Sequence, residues 1–118
     1  MINRFSVPLL SESTIHLANV ASANKEPDKV LFNARILSTY SDRILENKEI
    51  WISKGRIACI KNSGDFIKFN NFFEKNKLIN INNNILAPGL IDPHMHIESS
   101  MVTGCAYAEA ALLNGTTT

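Results

Sequence analysis

Two apolar runs joined by a two-residue turn constrain this chain more than any other stretch. They read Glu49-Ile-Trp-Ile-Ser53, then Lys54-Gly55, then Arg56-Ile-Ala-Cys-Ile60. A connection that short needs positive φ, which Gly55 adopts without a Cβ clash, so the pattern specifies a β-hairpin. Ile50, Trp51, Ile52 and Ile57 are expected in its core. Upstream, Val30, Phe32, Ala34 and Ile36 recur with period two, predicting a strand with those residues on one face and Asn33 and Arg35 on the other. A polar turn around Ser41-Asp-Arg43 would join this strand to the hairpin.

Residues 1–29 read as a lead-in. Ser11 is expected to cap a short helix running from Glu12 towards Ala23, with Leu17, Val20 and Ala21 on one weakly apolar face. Pro27 disfavours helix at the residue before it. His16 stands alone and is given no chemical role. Residues 62–84 are rich in Asn, Lys and Phe. They read as an irregular insertion followed by a short strand over Leu78–Ile81, with Phe66, Phe69, Phe72 and Phe73 forming a helical stripe or covering a sheet edge.

Charge narrows the function classes. Twelve basic and eleven acidic residues leave a net charge of +1. That excludes the strong positive field of a dedicated nucleic-acid binder, and Asp65 and Glu74 dilute the one aromatic and basic stretch. No apolar run approaches the roughly 20 residues that would span a bilayer. Phe5–Leu10 is too short, and too broken by Ser6 and Pro8, to act as a signal-peptide core. Cys59 and Cys105 form no CxxC pair or disulfide framework, which suits a reducing cytoplasm. The expectation is a cytoplasmic protein with no nucleic-acid partner and no membrane partner.

The chemistry lies after Ile85. Ile85-Leu-Ala-Pro-Gly89 leads into Leu90-Ile-Asp-Pro-His-Met-His-Ile-Glu98. If Leu90–Ile97 is a strand, Asp92, His94 and His96 share a face. Two imidazoles at that spacing can enter one metal's coordination sphere, and neutral imidazole suits Zn, Mn or Fe. Asp92 is placed to orient a ring or the backbone behind them. Thr103 is a candidate N-cap for a helix over Gly104–Leu113, closed by Asn114-Gly115. Strand, loop and helix make one βα unit. In a (β/α)₈ barrel, catalytic groups occupy the strand ends and following loops, where Glu98, Ser99 and Ser100 fall. Glu98 reads equally as a solvated loop carboxylate or as a contact to substrate or metal.

The stretch Pro88-Gly-Leu-Ile-Asp-Pro-His-Met-His96 resembles the first-strand signature of the amidohydrolase superfamily, metal-dependent hydrolases on a (β/α)₈ barrel. Its continuation, Ile97-Glu-Ser-Ser-Met101 and then Gly115-Thr-Thr-Thr118, is similar to the bacterial and archaeal adenine deaminases. The resemblance runs from about Leu17 to Thr118. Gly104 and Leu113-Asn-Gly115 depart from it, standing where that branch usually carries proline and Pro-His-Gly. The resemblance implies His94 and His96 as metal ligands, Mn(2+) first with Fe(2+) or Zn(2+) as alternatives, and Asp92 behind them. Glu98, Ser99 and Ser100 become substrate or active-site loop candidates. The implied reaction is the hydrolysis of adenine to hypoxanthine and ammonia, in which a metal acidifies the attacking water and a carboxylate moves protons. A homodimer is the family-level expectation.

The fold expected from residues and resemblance together is α/β. Residues 30–87 would form a small β-sandwich-like domain, and residues 88–118 the first βα unit of an incomplete TIM barrel. Such a barrel needs about 250 residues, so the catalytic residue and remaining ligands are expected beyond Thr118. This chain is then expected to be a fragment or truncated product, inert alone. Two alternatives remain: part of a dihydroorotase-like amidohydrolase acting on a cyclic amide or amine, against which Glu98-Ser-Ser100 argues, and a non-catalytic remnant.

Overall fold

The computed structural model describes residues 7–69 and 77–118. They form a mixed α/β structure with one five-stranded sheet and three α-helices. The chain divides into two compact units, one ending at Leu86 and the other spanning Ala87–Thr118.

The first unit opens with α1, Leu10–Ala21, in which Leu17 and Val20 are buried. Ser11 lies inside this helix and is not its cap. The first turn closes on the extended Leu9, whose carbonyl accepts the N–H groups of Glu12 and Ser13 and, at 2.7 Å, the Ser13 hydroxyl. Strand β1 (Lys29–Ser38) pairs antiparallel with β2 (Arg43–Ser53), and β2 with β3 (Arg56–Asn62). The turn between β2 and β3 places both Lys54 and Gly55 at positive φ, 51° and 70°. These are the type I′ signs that match the right-handed twist of a hairpin.

A bulge in β1 changes the expected core. Asn33 takes φ 53°, and the register with β2 shifts between Leu31 and Ala34. An extra residue at a bulge reverses the side-chain alternation that follows it. Val30 and Phe32 therefore pack with Val20, Trp51 and Phe66, whereas Ala34 and Ile36 join Leu31, Ile50 and Ile52 in a separate cluster. The four residues expected on one face are divided between two. Both faces of β2 contribute to the core, but Ile57 on β3 is 62% exposed and is no core residue.

Beyond β1 lie two short parallel strands, β4 (Leu78–Asn80) against Val30–Phe32 and β5 (Ile85–Leu86) against Arg35–Ile36. The asparagines between them fit the bulge. Asn82 and Asn83 both have positive φ; the Asn83 N–H donates to the Asn33 carbonyl at 2.8 Å and Asn33 Nδ2 to Asn80 Oδ1 at 3.0 Å. Asparagine tolerates that geometry better than other non-glycine residues. This accounts for part of the Asn-rich composition without any ligand.

On the Val30 face, β2 presents Glu49, Trp51 and Ser53, all buried. Glu49 Oε1 accepts Trp51 Nε1–H at 2.7 Å and the Phe66 N–H at 2.9 Å, while Oε2 accepts the Gly64 N–H at 2.8 Å. The carboxylate thus anchors the start of α2, Asp65–Phe69, whose Phe66 ring meets Phe32 at 5.7 Å. Ser53 Oγ lies 3.0 Å from His16 Nε2 on α1, so that histidine ties helix to sheet. Helices, not a second sheet, cover this face, which corrects the sandwich-like expectation for the described residues. Phe72 and Phe73 lie outside the described residues.

The second unit holds one parallel bridge and a helix between its two partners. Leu90 bridges Thr116: its N–H donates to the Gly115 carbonyl at 2.8 Å and its carbonyl accepts the Thr117 N–H at 2.9 Å. A Cβ on Gly89 would lie 2.2 Å from Thr117 Oγ1, so the close approach of these segments requires glycine. Helix α3 spans Gly104–Leu113, with Thr103 Oγ1 accepting the Ala106 N–H and Gly115 at φ 85° past its end. The expected strand over Leu90–Ile97 is largely absent. Pairing reaches Asp92, whose N–H donates to the Thr118 carbonyl at 2.8 Å. Pro93 then has no N–H to continue it.

Candidate metal centre

His94 and His96 sit between that pairing and a 3₁₀ turn over Ile97–Ser100. Despite the missing strand, they share a side: their rings meet edge to face at 4.7 Å between centroids. Each is tied to a carboxylate two positions away. Asp92 Oδ1 accepts the His94 N–H at 3.2 Å, a local side-chain to backbone bond that aspartate forms readily. Glu98 Oε1 lies 2.7 Å from His96 Nδ1.

The second contact fixes a tautomer. A carboxylate can only accept, so the neutral ring carries its proton on Nδ1 and leaves the Nε2 lone pair open to a metal. The same bond, with help from the turn backbone, holds the Glu98 carboxyl below the usual carboxylate range. Carboxylate behind histidine is how protein metal sites orient their ligands.

Of the other expected residues, Ser99 donates its N–H to the His96 carbonyl at 3.2 Å and Ser100 Oγ donates to the Ile97 carbonyl at 2.6 Å. Both bonds close the turn, with Met101 left-handed at φ 59° after it. The contacts are pairwise, Asp92 to the His94 backbone, the two imidazoles to each other and Glu98 to the His96 ring; the serine side chains do not join them. Tyr107, on α3, escaped the sequence reading. Its hydroxyl donates to Asp92 Oδ2 at 3.3 Å, and desolvation, then the Asp92 charge, pushes the phenol above its ordinary value. An aromatic residue one turn into an alanine-rich helix was the available signal, and nothing in its spacing pointed at Asp92.

The donor set fits a divalent metal in kind but not in number. Two neutral imidazoles suit Mn, Fe or Zn, yet among the described residues no three His, Cys, Asp or Glu side chains gather into a metal-binding group. Both histidines are exposed.

Fold and site thus define a mixed α/β chain whose second unit presents two adjacent histidines, with a carboxylate on the backbone of one and on the ring of the other. No family model matches the chain. Over 117 residues, 99% of its length, it is 58% identical to "Adenine deaminase 3" of Rhizobium johnstonii and 55% identical to an adenine deaminase of a Chelativorans species. It is 40% identical over 108 residues to an adenine deaminase of Staphylothermus marinus. The chain spans 19% of the length of the first two relatives and 17% of the third. Among solved structures it is similar to a Bacillus thuringiensis protein, at 25% identity and a TM-score of 0.42, over 67% of this chain and 96% of that one.

Proposed function

We propose that this chain is the N-terminal portion of a metal-dependent adenine deaminase, which hydrolyses adenine to hypoxanthine and ammonia. The carrying observation is the His94 and His96 pair, braced by Asp92 and Glu98, within a chain similar over nearly its whole length to relatives named for that activity. His94 and His96 would hold a divalent metal, manganese by preference, through Nε2 on the His96 side. Such a metal, when bound, supplies the acidity that lets water attack a ring carbon at neutral pH. Asp92 sets the backbone at His94, and Glu98 keeps the His96 proton on Nδ1. The remaining ligands and the proton-transferring carboxylate are assigned to other parts of a longer protein.

Ala87–Thr118 would be the first βα unit of a (β/α)₈ barrel. The parallel bridge of Leu90 with Thr116 across α3 supports that reading, since it has the connectivity of two successive barrel strands. The test is the product of the complete gene, purified with Mn(2+) and assayed for hypoxanthine formed from adenine. Turnover abolished by His94→Ala is the expected result. A manganese-loaded product that turns over cyclic amides and leaves adenine untouched would replace this reading with the dihydroorotase-like one.

A further inference from the structure

We infer that Tyr107 is a positioning residue for the histidine pair, holding Asp92 from α3 and through it the backbone at His94. The inference rests on the metal-centre reading above. It starts from how little else locates the histidine segment. Strand pairing ends at Asp92, Pro93 has no N–H, and the His94 N–H goes to the Asp92 side chain rather than to a neighbouring strand. On the His94 side the position of the pair therefore depends on where the Asp92 carboxylate is held, whereas His96 has its own contacts to Glu98 and the Ser99 N–H.

That carboxylate divides its oxygens, Oδ1 to the His94 N–H and Oδ2 to the Tyr107 hydroxyl. Tyr107 is suited to the anchoring role. It is one of the few residues of its unit that is not exposed, its N–H donates to the Thr103 carbonyl at 3.0 Å, and it lines a groove of about 330 Å³ together with Asp92, Met95 and Ile97. The partly buried Tyr107 thus brings its hydroxyl from the helix to the Asp92 carboxylate. The result is a relay from α3 to Asp92 to the His94 backbone, complementing the direct bond from Glu98 to His96.

The test uses the product of the complete gene, stripped of metal and titrated with Mn(2+) in a calorimeter. Tyr107→Phe keeps the ring and removes only the hydroxyl. It should weaken Mn(2+) binding about tenfold, the scale on which partners behind metal ligands act. Melting temperature without metal, and KM for adenine at saturating Mn(2+), should stay at the parent values. Because Tyr107 acts through Asp92, Tyr107→Phe should cost nothing further in an Asp92→Ala background. Wild-type affinity in Tyr107→Phe, losses that multiply in the double variant, or a fall in melting temperature that accounts for the lost affinity would each overturn the inference. Parent and His94→Ala proteins that titrate alike would instead remove the metal reading beneath it.

Discussion

At the scale of single residues, what the sequence made legible about the two histidines is that they share a side. Their shared side survives the loss of the strand invoked to explain it. Replacing either by alanine in the product of the complete gene should remove most bound manganese, read by elemental analysis; wild-type stoichiometry would exclude them as ligands. Glu98 was only half legible. Its loop position was visible, but not the 2.7 Å contact that gives it a partner. Glu98→Gln puts a weaker acceptor opposite His96 Nδ1, so manganese affinity should drop about tenfold with little change in melting temperature, because the Glu98 side chain is 73% exposed. An unchanged affinity would return it to a solvated loop charge. The cysteines differ in a way composition cannot show. Burial, opposed by Lys61 and reinforced by Glu49, pushes the Cys59 thiol above its ordinary value, while Cys105 is exposed. Since the folded state favours the protonated thiol, that contribution to stability is full below the ordinary thiol pKa and is lost as pH rises through the raised folded value. Iodoacetamide at mildly alkaline pH should therefore modify Cys105 well before Cys59, as peptide mapping would show.

At the scale of elements, the hairpin and α3 were readable because their signals are local: a two-residue turn with glycine, and a threonine cap with a glycine stop. The core assignment of β1 was not, because one residue at Asn33 reverses the parity of everything after it. No period-two pattern marks such a bulge in advance. Glu49 escaped for a related reason. It shares the Trp51 face, and only the later turn at Gly64–Phe66 supplies the N–H groups that allow a carboxylate to be buried there. Glu49→Leu would strand those donors, together with Trp51 Nε1, and should cost at least about 2 kcal/mol in chemical denaturation. The turn offers the opposite sign. Lys54 is held at φ 51° with its N–H on Asp28 Oδ2, and asparagine adopts that geometry more easily than lysine. Lys54→Asn should stabilise the hairpin by a few tenths of a kcal/mol, up to about 1, and raise the melting temperature. A lower value would mean that Lys54 makes a contact more important than its backbone strain.

At the scale of the whole molecule, apolar burial is divided unequally between the two units. Every buried hydrophobic residue among those described, from Leu17 to Phe66, precedes Leu86, whereas no residue of Ala87–Thr118 is fully buried. The second unit instead exposes Leu90, Ile91, Leu112 and Leu113, the last at 89%. A ten-residue helix without a packed face is marginal in water, since nucleation is costly and packing supplies most helix stability. The short parallel pairing of Leu90–Asp92 adds three bonds and little burial. The 118-residue chain should therefore open in two stages. Amides of β1 and β2 should exchange only in global unfolding, and those of α3 should exchange through local opening close to the unprotected limit. Exposed apolar side chains on the same unit should also make the isolated chain self-associate as concentration rises. Hydrogen exchange followed by mass spectrometry on proteolytic fragments separates the units directly. If peptides covering Gly104–Leu113 in a monodisperse sample are as protected as those covering Ile50–Ser53, the second unit has a source of stability absent from its own packing. The unequal division of the fold would then be wrong.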